Sequence, residues 1–126
     1  MITASQFKTL RTVKLDNGTL VDVVSVSARN LGFRGDTNFG DFSEAAKTTG
    51  LELCSDEAFR KLCKQAKPED VLMTFVMSTG TTSEHIHLNH FEEFDATGCW
   101  ATAFQYRNPS DRLPIDAMLH MLTRHK

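Results

Sequence analysis

A chain of 126 residues, 40% hydrophobic and 24% charged, has the length of one ordinary domain and the composition of a globular one. Disordered and collagenous classes are excluded. With 14 Lys and Arg against 16 Asp and Glu, the net charge is -2. No global field draws such a chain to nucleic acid or to an anionic membrane, and neither is expected as a partner.

The N-terminus has no basic start ahead of a long apolar stretch, so no secretory signal is visible. The most hydrophobic run, Val71 to Met77, is too short to span a bilayer. Cys54, Cys63 and Cys99 form an odd set without a CxxC pair, which argues against a disulfide framework or a zinc ribbon. A cytoplasmic protein with thiols acting as small hydrophobes is the expectation.

Thr3 and Gln6 form a capping box, and Ile2 with Phe7 a hydrophobic staple, predicting a helix that ends near Arg11. From Val13 the apolar period becomes two. Asn17-Gly18 between the two halves predicts a hairpin with a type I′ turn. That turn sets Leu15 opposite Leu20 and Val13 opposite Asp22, leaving Asp22 a misfit explained by an edge or bulge. Asn30 to Asp41 reads as a long glycine-containing loop, with Phe33, Phe39 and Phe42 either pinning it to the core or lining a pocket. Ser43 is expected to cap a helix over Glu44–Thr49 that Gly50 ends. Ser55 caps a second helix, with Ala58, Phe59, Leu62, Cys63 and Ala66 as its apolar stripe and Pro68 as its stop.

Asp70 to Ser78 reads as a central strand. Two alternating segments follow, His85 to Phe94 and Cys99 to Arg107, separated by a turn at Asp95 to Gly98. Trp100, Thr102, Phe104 and Tyr106 share one side of the second. Pro114 then opens a predicted C-terminal helix with Ile115, Met118, Leu119 and Leu122 on one stripe. Residues 1–126 are therefore expected to form a single α+β domain. It has a mostly antiparallel sheet of about five strands, with helices packed mainly on one face.

Chemistry concentrates in Glu84-His85-Ile86-His87-Leu88-Asn89-His90-Phe91-Glu92-Glu93. On a strand, His85 and His87 project from the same face, near enough to share a divalent transition metal. For Glu92 to complete the site, the chain must turn between Leu88 and Phe91. The pattern Gly80-x4-His85-x-His87-x4-Glu92-x5-Gly98 resembles a loosened first cupin motif. The resemblance covers 19 residues and implies a metal on His85, His87 and Glu92 inside a β-barrel. Both glycine spacings are one residue shorter than the family's, and no second motif follows.

Other patterns carry less. Gly32 to Gly40 lacks the Lys-Ser/Thr ending of a phosphate-binding loop, Arg60, Lys61, Lys64 and Lys67 read as a solvated helix face, and Arg34-Gly35-Asp36 is a tripeptide that recurs by chance. The leading expectation is a non-catalytic binding or assembly module. Its small apolar ligand or protein partner would meet Phe33, Phe39 and Phe42, the face of Trp100, Phe104 and Tyr106, or both. Self-association through a stripe with Met118 and Met121, giving a homodimer, is a further option. The alternative from another class is a metal-dependent enzyme using His85 and His87 with Glu92 or Glu93.

Overall fold

The computed structural model describes residues 6–67, 70, 73–94 and 100–125, without the side chains of 92–94 and 100–103. In chain order these residues form β1 (Thr9–Lys14), β2 (Leu20–Val26), β3 (Thr37–Asn38), α1 (Phe39–Thr49), α2 (Asp56–Gln65), β4 (Thr74–Val76), β5 (Ile86–Phe94), β6 (Trp100–Arg107), β7 (Arg112–Leu113) and β8 (Leu119–Arg124). Six strands make one sheet in the order β1-β2-β8-β4-β5-β6, and β3 pairs with β7 in a small ribbon. All pairs in the main sheet are antiparallel except β4 with β8, which run parallel through Phe75 and His120. The expected α+β class is the observed one. The sheet is open, with β1 and β6 as its edges, rather than the closed barrel that a cupin likeness implies.

The C-terminal helix of the sequence reading holds a strand, and so does the end of the N-terminal one, whose start through Ser5 lies outside the described residues. The chain from Thr9 to Lys14 is β1, beside β2, and the segment assigned to a C-terminal helix contains β8, between β2 and β4. Leu119, His120, Met121 and Leu122 are all buried, so this run is apolar on both faces as a central strand must be. A stripe such as Leu119 with Leu122 fits a helix equally well when read by spacing alone. Met121 is fully buried while Met118 is exposed, so the two do not form the helical self-association surface expected of them.

The β1–β2 hairpin forms at Asn17-Gly18, but one residue out of the expected register. Gly18 alone adopts a positive φ, of 88°. Leu15 N–H donates to the Thr19 carbonyl and Gly18 N–H to the Leu15 carbonyl, closing a three-residue loop in which Gly18 takes the left-handed position. Val13 therefore pairs with Val21, and Asp22 with Thr12. The slip resolves the Asp22 misfit. Its buried carboxylate accepts from Thr12 Oγ1 at 2.6 Å and Thr9 Oγ1 at 3.3 Å, and meets His125 Nδ1 at 2.8 Å. Burial pushes its pKa up, but these hydrogen bonds outweigh burial and hold it below the usual value.

The first helix starts earlier than Ser43. Asn38 is its N-cap, its side chain accepting from Asp41 N–H at 2.7 Å, and Gly50 ends it at φ 99° as expected. Gly40 falls inside the first turn because the Asn108–Pro109 turn lies against it: a Cβ there would sit 3.0 Å from Pro109 Cβ. Ser55 caps α2 as expected, accepting from Ala58 N–H at 3.2 Å. Ile2, Thr3, Pro68, the turn at 95–98 and Cys99 lie outside the described residues.

The core is two clusters built from alternate residues of the same strands. Val24, Val26, Val76, Ile86, Leu88, Leu119 and Met121 meet Phe39, Phe42 and Ala46 of α1. Val21, Val23, Phe75, Met77, Phe91 and Leu122 meet Ala58, Phe59 and Leu62 of α2. Alternate strand residues point to opposite faces, so α1 and α2 cover opposite faces rather than gathering on one. The connection between them passes through the sheet. Glu52 exchanges N–H···O bonds with Leu122 of β8 (2.7 and 2.9 Å), while Cys54 bonds to Val76 and Ser78 (2.7 and 2.8 Å). Leu51 joins the α1 cluster and Cys54 the α2 cluster, so residues 51–54 thread a split between β8 and β4.

Candidate functional site

Neither helix covers the far end of the α2 face of the sheet. There β5 and β6 pair His87 with Tyr106 and Asn89 with Phe104, and all four share the α2-facing side by alternation from Phe91. Tyr106 is 52% exposed and Phe104 64%. The His87 ring stacks on Tyr106 at 4.9 Å and meets Phe104 edge-on at 5.4 Å. His85 approaches the same phenol ring edge-on at 5.9 Å. The two aromatic rings stand 6.0 Å apart.

A polar turn before β5 holds these imidazoles. Thr81 Oγ1 accepts from His87 N–H at 2.9 Å, and Thr82 Oγ1 accepts from Glu84 and His85 N–H at 3.1 and 3.2 Å. The Thr79 carbonyl lies 2.5 Å from His87 Nδ1. A carbonyl only accepts, so Nδ1 carries the proton, and a neutral ring presents a lone pair at Nε2. Nε2 is buried without a partner, and so is Asn89 Oδ1 two residues along the same side. Gly80 lets the turn close in this way. It sits at φ 87°, and a Cβ on it would lie 2.8 Å from His87 Nδ1 and 3.2 Å from Tyr106 Oη.

Of the residues singled out in the sequence, His85, His87, Phe104 and Tyr106 thus come together. Phe39 and Phe42 do not join them: they belong to α1 and lie buried in its cluster, with Phe33 packed against that cluster. Trp100 opens β6 opposite Phe94, and Glu92 falls at an irregularity of the β5–β6 register between Phe91 and Glu93; both side chains lie outside those described. The chain makes no turn between Leu88 and Phe91, where β5 continues. Among the described residues, no group of three His, Cys, Asp or Glu is placed to hold a metal. Strand alternation puts Asn89 on the side of His85 and His87, and Gly80 stands in the cupin-like pattern, but the packing of Gly80 and of the Thr79 carbonyl against His87 has no sequence signal.

Several other ionisable groups among the described residues find partners within the fold. Asp70 takes both ends of the Arg11 guanidinium at 2.6 Å and the Lys67 N–H at 2.8 Å. His120 is buried beside Phe75, with Nδ1 3.2 Å from the Thr74 carbonyl. Burial pushes the Cys54 thiol up to about 12, as does the nearby Asp56 charge, which makes it a poor nucleophile. No helix among the described residues is long and apolar enough to cross a membrane. No protein-family model, curated protein or solved structure matches the chain.

Proposed function

We propose that this chain is a non-catalytic binding module that receives a small, planar, largely apolar molecule on the patch of His85, His87, Phe104 and Tyr106. The observation that carries the reading is the pair of exposed aromatic rings, held beside two imidazoles on a stretch of sheet that neither α1 nor α2 covers. Large rings left in water are costly, and a flat ligand can stack on them. The unpartnered acceptors His87 Nε2 and Asn89 Oδ1 lie beneath the surface, so a ligand with an N–H or O–H donor reaches them only by displacing their neighbours. Free Cys54 and Cys63 thiols support a reducing, cytoplasmic setting.

The test is a screen of flat aromatic compounds, with and without N–H or O–H donors, followed by NMR of the Phe104, Tyr106 and His87 rings. Hits should move these resonances, and Phe104→Ser with Tyr106→Ser should weaken binding by about tenfold or more. Hits that perturb other parts of the sheet, or bind the double variant equally well, overturn the reading.

One observation favours a second reading, a metal-dependent enzyme using His85 and His87; β5 makes no turn that would bring Glu92 to them. A histidine whose Nδ1–H is fixed by a carbonyl and whose buried Nε2 has no hydrogen-bond partner has the outer support typical of metal ligands. Tight stoichiometric Zn, Ni or Mn in purified protein, lost in His87→Ala with an unchanged far-UV CD spectrum, would favour it. Metal content indifferent to that substitution removes it.

A further inference from the structure

We propose that the cleft between α1 and the turn before β5 is a second binding site, one that takes a small polyhydroxylated molecule bearing an ammonium group, of the amino-sugar class. Ile86, which lines it, belongs to the α1 face of the sheet, opposite the patch of Phe104 and Tyr106. The proposal is independent of the ligand reading above.

Asp41, Ser43, Glu44 and Lys47 of α1 line one side of this cleft, and Thr81 and Thr82 of the turn line another. Ile86 and Pro109 add apolar surface. The space between them is about 530 Å³, within the range of small-molecule sites.

Ser43 is the residue that points to a ligand. It is only 5% exposed, and its Oγ is buried with no hydrogen-bond partner, although the residue forms part of the cleft wall. Hydroxyls in a helix commonly bond the carbonyl four residues back, as Thr48 and Thr49 do on Glu44 and Ala45 at 2.9 and 2.8 Å. Ser43 makes no such bond. A hydroxyl left unmet inside a fold costs stability, and rotation about its one χ1 bond is the motion that would present it to a molecule in the cleft.

Charge and donor accounting select the occupant. Two carboxylates, Asp41 and Glu44, line the cleft against one ammonium, Lys47, which stands 4.0 Å from Glu44. The lining is therefore net negative and favours a cation. Thr82 Oγ1 already accepts from Glu84 and His85 N–H, so what it offers is its O–H donor. Thr81 Oγ1 accepts from His87 N–H and likewise keeps its O–H. A bare metal ion gives these O–H donors nothing to bind. A hydroxylated organic cation gives an ammonium to the carboxylates, oxygens to the threonines and Ser43, and a C–H ring face to Ile86 and Pro109.

Glucosamine, titrated to about 20 mM, should shift the NMR resonances of Ile86 and Ser43 and leave those of Phe104 and Tyr106 in place. N-acetylglucosamine, which keeps the ring but lacks the charge, should bind about tenfold more weakly. Asp41→Asn with Glu44→Gln should weaken glucosamine binding by a similar factor of about ten. Ser43→Ala separates a ligand-facing hydroxyl from a structural one. It should weaken glucosamine binding while raising the melting temperature of the unliganded chain by about 2–4 °C, since an unmet buried hydroxyl is removed. The proposal is overturned if glucosamine moves neither Ile86 nor Ser43, or if the acetylated and free amines bind equally. It is also overturned if the carboxylate variant binds unchanged, or if Ser43→Ala melts lower than the parent.

Discussion

Three glycines separate backbone strain from steric contact at the candidate site. Gly35 has no positive φ and open space where a Cβ would go, Gly18 has a φ of 88° with open space, and Gly80 has a φ of 87° with His87 Nδ1 only 2.8 Å away. Alanine at Gly35 should stabilise by about 0.5 kcal/mol, through the loss of unfolded-state entropy alone. At Gly18 the left-handed conformation costs an L-residue roughly 1–2 kcal/mol, leaving a net loss of about 1 kcal/mol. Gly80→Ala adds displacement of the His87 ring from the Thr79 carbonyl, a hydrogen bond of about 1 kcal/mol, and crowding of Tyr106. Its net loss should be about 2–3 kcal/mol. Urea denaturation with a common m-value reads all three, and NMR of the Tyr106 and His87 rings should report movement in Gly80→Ala only. If Gly80→Ala costs no more than Gly18→Ala, or leaves those rings unmoved, the turn does not position the site as argued.

Four further outcomes follow from the core and its charges. Phe75 is fully buried against Phe59, Phe91 and His120, so Phe75→Ala should cost about 3–5 kcal/mol by chemical denaturation. Asp70→Asn leaves a largely buried Arg11 without its counter-charge and should cost about 3 kcal/mol, most of it absent when Arg11→Met is already present. Burial raises the Asp70 pKa, but the Arg11 and Lys67 bonds outweigh it, so the folded value lies below 3.8, as does that of Asp22. Their stabilisation is complete above the unfolded carboxylate pKa and is lost as pH falls through the folded values; acid titration of Asp22→Asn and Asp70→Asn should show a flatter loss below about pH 4. His120 is pushed below its usual 6.5, first by burial, which outweighs the Thr74 carbonyl and Asp70. The unfolded chain then takes up this proton first, so stability should fall as pH drops below about 6.5. In His120→Gln, thermal unfolding at a series of pH values should lose that component.

What the sequence made legible was local chemistry. Ser55, Gly50 and Asn17-Gly18 each mark a backbone event that one or two residues determine, and each event is found where expected. The register of the hairpin was not legible. Asn-Gly serves either a two-residue loop or a three-residue loop with glycine last, and Val21 with Val23 entering the α2 cluster favours the second. Leu119 to Leu122 failed for a related reason: burial on both faces removes the alternation that distinguishes a strand. At the site, the likeness of His85 and His87 was visible from spacing. The contribution of Gly80 was not, because it depends on the return of β6, which puts Tyr106 Oη beside it.

Among the described strands, β8, near the middle of the sheet, comes last in chain order. Until β8 arrives, Glu52 has no partner at Leu122 and β2 has no neighbour on its inner side. A nascent chain released before Leu119 would therefore hold two half-sheets with facing raw edges, each able to capture strands from other molecules. The sheet closes only once β8 is present, so a chain cut before Leu119 is a sticky fragment rather than a shortened working copy.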